Sequence, residues 1–115
     1  MTTTTVDRAQ VGEVAILRIA GDVTSASDAE LTGGFGAALD AGARAVVLDF
    51  AAMEYMNSGG IGLLVTLLVR AQRSGVRLLA IGLSDHYRQI LALTRLDEAI
   101  EILPDEAAAM AAVDA

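Results

Sequence analysis

Residues 46–75 read VVLDFAAMEYMNSGGIGLLVTLLVRAQRSG, and the fold turns on how this stretch divides. The run RAVVLDF at 44–50 is short, β-branched and apolar, the signature of a strand buried on both faces. A polar pair, Asn57 and Ser58, then precedes an apolar helix that runs to Ser74, with Gly75 as its stop. Glycine inside a helix costs about 1 kcal/mol relative to alanine. Gly59, Gly60 and Gly62 therefore give up stability at the helix mouth, and the backbone there must serve a purpose that a side chain would obstruct. Asn57 or Ser58 is suited to cap the helix, and a glycine pair beside the cap would let another chain approach closely.

The helix is more apolar than one sheet contact requires. From Ile61 to Ala71 only Gly62, Thr66 and Arg70 are not plainly apolar, and they recur every fourth residue as one narrow stripe. Ile61, Leu64, Val65 and Leu68 can face the sheet. That leaves Leu63 and Leu67, one turn apart, and Met56 near the first turn, without an evident internal partner. Two readings stay open: burial against a neighbouring helix, or an exposed apolar strip that receives a partner protein.

Outward from this segment the chain alternates strand and helix. VDRAQVGEVAILRIAGD reads as a hairpin turning at Gly12. Thr24 or Ser25 can cap a helix through SDAELTGGFGAALDAG, with Ala29, Phe35, Ala38 and Leu39 inward and Gly42 as the stop, although Gly33 and Gly34 weaken its pattern. VRLLAIGL (76–83) is a second buried strand and SDHYRQILALTRL a helix capped by Ser84 or Asp85. AIEIL is a brief last strand, and Pro104 opens a terminal alanine-rich helix. One α/β domain over 1–115, with residues 1–5 frayed, accounts for these signals. The sheet is expected to be mixed, with an N-terminal hairpin and a parallel C-terminal part joined by right-handed crossovers.

Composition narrows the chemistry. Fifteen acidic residues against eight basic ones give a net charge of −7, which disfavours nucleic acid and anionic membranes as partners and favours a protein. There is no cysteine, which removes disulfides and thiolate chemistry and makes the cytoplasm the default expectation. All basic residues are arginine, so phosphate-loop lysines and Schiff bases are excluded. The N-terminus lacks the pattern of a secretory signal, and Ile61–Val69 is far shorter than the roughly 20 residues of a membrane span, so no membrane insertion is expected. A single histidine, His86, supports neither a metal site nor an acid–base pair, and no cofactor is expected. Asp49 could suggest a phosphoryl-accepting receiver domain, but the acidic pair and the lysine which that chemistry needs are missing; hydrogen bonding to loop amides is its simpler role. The acidic set Asp97, Glu98, Glu101, Asp105 and Glu106 reads as a solvated face that would suit an arginine-rich partner.

The order of Asp49, Tyr55–Met56, Asn57-Ser58-Gly59-Gly60-Ile61-Gly62, an apolar helix, a strand and Leu93-Thr94-Arg95-Leu96-Asp97 resembles a STAS domain of the anti-sigma-factor antagonist type. The resemblance extends over residues 14 to 113. It implies a STAS-like mixed sheet of four to five strands with about four helices. It also implies a small non-enzymatic switch that binds a kinase-like anti-sigma factor until its turn is phosphorylated on serine. In much of that family the acceptor hydroxyl directly precedes the motif's glycine, and that position is Gly59 here; Ser58, one residue earlier and rotated by about 100° on a helix, is the candidate phosphoacceptor. Asn57 replaces the usual acid, and Thr24 stands where an early acidic residue is frequent. The implied partner-binding set is Thr24, Met56, Asn57, Ser58, Gly59, Gly60, Leu63 and Leu67. The alternative is a STAS subunit without phosphate chemistry that stabilises a lipid-transport ATPase or a stress-signalling complex. Monomer and weak dimer are both compatible with the sequence.

Overall fold

The hairpin forms where the sequence turns at Gly12. In the computed structural model, which describes residues 2–114, β1 (Thr5–Val11) pairs antiparallel with β2 (Val14–Val23). Met1 and Ala115, which the expected frayed start and terminal helix include, lie outside the described residues. After β2 come a 3-10 turn (Ser25–Ser27), α1 (Asp28–Asp40), β3 (Ala45–Met56), α2 (Ser58–Ser74), β4 (Arg77–Ile81), α3 (Asp85–Leu93), a second 3-10 turn (Leu96–Glu98), β5 (Glu101–Ile102) and α4 (Glu106–Asp114). The sheet order is β1-β2-β3-β4-β5, parallel from β2 onward. The mixed sheet with its N-terminal hairpin and parallel C-terminal part is thus as the strand and helix signals imply.

Alternation along each strand divides the core in two. Leu17, Ile19, Val46, Leu48 and Ala80 point to the face covered by α1, α2 and α3, where Leu31, Phe35, Leu64, Leu67 and Leu91 complete the larger cluster. Val14, Ile16, Ala45, Val47, Leu79 and Ile81 point the other way, against Ala109 of α4. Buried on both faces, β3 accordingly begins as the continuous apolar run that the sequence displays. Arg77 fastens the second face: its Nε and Nη2 donate to the Glu101 carboxylate at 2.9 and 2.6 Å, and its Nη1 donates to the Ala112 carbonyl at 3.1 Å. The bond to Glu101 raises the Arg77 pKa further. Both partners are well exposed, so their net contribution to stability is small. No helix among the described residues is long and apolar enough to cross a membrane.

Two expectations are corrected. β3 does not end near Phe50. It continues to Met56 beside β2, with pairs Asp22↔Tyr55 and Val23↔Met56, whereas its last partner on β4 is Ile81, opposite Asp49. Ala51, Ala52, Glu54 and Tyr55 project past the helical layers into solvent, so they carry no apolar pattern, and register shifts between Arg18 and Ala20 and between Gly21 and Asp22 absorb the mismatch. The threonine run is also not frayed. Thr2 exchanges backbone hydrogen bonds with the Asp22 side chain and amide at 3.2 Å each. Thr4 is only 7% exposed, and its hydroxyl bonds the Asp22 carbonyl and the Ser27 hydroxyl. Thr4→Val should therefore leave buried polar groups unpaired and lower stability by about 1–3 kcal/mol in urea unfolding, whereas a loose terminus would give no change.

Candidate docking site at the start of the second helix

The tip of the molecule is built by the ends of β2 and β3. The Asn57 N–H donates to the Val23 carbonyl at 3.2 Å, so the chain leaves β3 still paired with β2. Asn57 is the N-cap of α2: its backbone is extended and its Oδ1 accepts the Gly60 N–H at 3.1 Å. Ser58 follows at the first helical position, exposed, and its hydroxyl makes no hydrogen bond among the described residues. Thr24 caps the neighbouring 3-10 turn, accepting the Ala26 N–H at 3.2 Å and donating its own N–H to the Ser27 hydroxyl at 3.0 Å. Ser25 and Ala26 are exposed beside the tip.

The glycine pair is required by the chain's own packing. A Cβ on Gly60 would lie 2.4 Å from the Val23 carbonyl oxygen and 2.8 Å from Met56 Cγ; one on Gly59 would lie 2.8 Å from the Ser25 nitrogen. Only a bare α-carbon lets α2 begin this close to the end of β2. Gly62, by contrast, has open space where its Cβ would be.

This anchor sets the phase of the helix. Gly60, Leu64, Leu67, Leu68 and Ala71 face the sheet. Of the expected partner-binding residues, Gly60, Met56 and Leu67 are buried, with Leu67 at 0% exposure, and Leu63 is half-buried against the main core. Thr24, Asn57 and Gly59 are half-buried, and Ser58 is exposed. The apolar residues that do reach solvent are Val65, 41% exposed and expected to face the sheet, and Val69, 38% exposed. Two residues separate the expected strip from the observed one, a rotation of about 200°. In a helix this apolar the pattern alone cannot fix the phase. The usable signal was subtler: leucines lie inward at 64, 67 and 68, valines outward at 65 and 69. Arg70, expected on the polar stripe, leans on α1 instead; it donates to the Thr32 carbonyl at 3.3 Å and places its guanidinium 5.3 Å from the Phe35 ring centre.

Tyr55, 49% exposed, completes the tip; it lies within the 55–68 turn and helix expected to bind a partner but outside the named partner-binding set. Asp22, Asp28, Glu30 and Glu54 lie on the segments that form this end, and neither 22–32 nor 51–69 contains a basic residue. These two segments are therefore acidic, with His86 and Arg88 of α3 on either side of Tyr87. Asp49 sits below it, accepting the Ala51 N–H at 3.0 Å as a loop-amide acceptor. His86 is exposed with its ring edge-on to Tyr87, and no group of three or more His, Cys, Asp or Glu converges among the described residues.

A hairpin-started parallel sheet, with helices on both faces and a capped helix opening at the end of its central strand, defines a STAS-type domain. The chain matches the STAS_2 family, described as "Mlab, STAS domain", over residues 6–104, and it belongs to that family. Solved structures share the fold. An anti-sigma factor antagonist from Mycobacterium paratuberculosis is 22% identical, with 98% of this chain and 96% of that one covered and a TM-score of 0.81. The Bacillus cell fate determinant SpoIIAA in its phosphorylated form is 16% identical, with 95% and 99% covered and a TM-score of 0.73. A sulfate transporter family protein from Wolinella succinogenes is 18% identical, with 92% and 88% covered and a TM-score of 0.80. At these identities the likeness is one of fold.

The anchoring role of Gly60 is separable from helix propensity. Gly60→Ala should lower stability by about 1–3 kcal/mol, because an added carbon meets a backbone carbonyl. Gly62→Ala should raise it by about 0.5–1 kcal/mol. Equal effects in urea unfolding would contradict the close contact.

Proposed function

We propose that the protein is an anti-sigma-factor antagonist that acts in the cytoplasm by binding a kinase-like anti-sigma factor. Docking uses Tyr55, Asn57 and Ser58 at the tip, the flanking Thr24–Ala26 segment, and the outward face of α2 along Gly62, Val65 and Val69. One observation carries this reading: an apolar strip on α2 is left uncovered at an end of the molecule where segments 22–32 and 51–69 carry acidic residues and no basic ones. Such a surface suits a partner with a basic, partly apolar face, and charge would speed the encounter. The fold it shares with an anti-sigma factor antagonist supports the same role.

In this reading Ser58 is the acceptor the turn offers, since the Ser25 backbone closes position 59 to any side chain. A phosphate there would add about −1.5 to −2 charges to segments that are already acidic and weaken binding to a partner selected for opposite charge. The closure of position 59 also favours a second reading, a STAS subunit that assembles into a larger complex without phosphate chemistry, of the kind found beside a lipid-transport ATPase.

Calorimetry with the anti-sigma factor encoded in the same genome tests the proposal. Val65→Glu and Val69→Glu should each weaken binding about tenfold or more, with the fold intact, since both side chains reach solvent. Unchanged affinity in both would remove α2 from the docking surface. Mass spectrometry after incubation with that partner and ATP separates the two readings: phosphate on Ser58 supports a working switch, and binding without phosphate supports a subunit or a permanently unmodified antagonist.

A further inference from the structure

The end of β3 is held from two sides, and the second side depends on a single hydroxyl. Beyond Asp49 the strand has no β4 neighbour, yet it runs on to Met56. On the β2 side Asn57 donates to Val23. Backbone N–H groups alternate in direction along a strand, so the Met56 N–H points to the opposite edge, where β4 is missing. It donates there to Tyr87 Oη at 3.0 Å. Among the described residues this is the one hydrogen bond from α3 to the β3–α2 segment.

Tyr87 is well placed to act as a fixed post. Its ring packs against the main core, and its backbone N–H meets the Ser84 N-cap hydroxyl at 3.4 Å. Leu91, one turn further along α3, is buried. The residue that Tyr87 grips immediately precedes Asn57, the cap, and Ser58, the exposed tip.

We infer that Tyr87 is a positioning residue: its hydroxyl stands in for the absent strand neighbour, fixes the end of β3, and thereby sets how Asn57 and Ser58 are presented to a docking protein. The inference rests on the docking role proposed above, but its first test does not need the partner. Amide hydrogen exchange followed by NMR on the full chain should show the Met56 amide exchanging about two- to tenfold faster in Tyr87→Phe, beyond any change shared by core amides such as that of Val47. Ile90→Ala, on the same helix but without a bond to β3, should not speed Met56 selectively. The affinity of Tyr87→Phe for the anti-sigma factor should fall by a similar factor.

Unchanged Met56 exchange in Tyr87→Phe would overturn the inference, as would an equal, selective increase in Ile90→Ala. Faster Met56 exchange with full affinity would overturn the link to presentation while leaving the docking role standing. If the wild-type protein bound no anti-sigma factor, the docking role would fail, and with it the link to presentation, even if exchange showed that Tyr87 holds the strand end.

Discussion

The bare α-carbon of Gly60 lies against the carbonyl of Val23, and most of what the molecule presents to its surroundings depends on that contact. It joins the end of β2 to the start of α2 at a separation that no side chain would permit. Because the helix begins there, its rotation is fixed: Leu64, Leu67 and Leu68 go under, and Val65 and Val69 stay out. The same contact holds Asn57 where its side chain can cap the helix and leaves Ser58 exposed. A larger residue at 60 would disturb the cap, the helix phase and the exposed strip together.

Much of the fold was legible because its signals are local. Val46–Phe50 and Leu78–Ile81 are runs of a kind that only a doubly covered strand tolerates, and Ser84 and Gly75 mark helix ends by their own chemistry. Three features were not legible. The rotation of α2 depends on a contact between Gly60 and Val23, far apart in the chain, and the apolar pattern is nearly uniform around the helix. The extension of β3 to Met56 is carried by exposed residues such as Ala52 and Glu54, which have no periodicity to display. The anchoring of Thr2 and Thr4 comes from Asp22 and Ser27, and a row of threonines gives no hint of such partners. Asn57 does cap the helix and Ser58 is exposed, as their side-chain chemistry implies, whereas Leu67, expected to face outward, is buried and Val65, expected to face the sheet, is exposed.

The STAS-type sheet and its neighbours hold the start of α2 from three directions. β2 grips it through Val23, the 3-10 turn through Ser25, and α3 through Tyr87. Rigidity of this kind favours recognition, because a partner then loses little conformational freedom in the surface it meets. In the proposed docking the acid residues around the tip would act on the rate and selectivity of encounter, and the valine strip once contact is made.

If this end of the molecule receives another protein, NMR titration of the isotopically labelled chain with the unlabelled anti-sigma factor should perturb amides clustered at 24–26, 55–59, 62, 65 and 69. Perturbations confined to the α4 face, around Val11, Met110 and Val113, would contradict such docking.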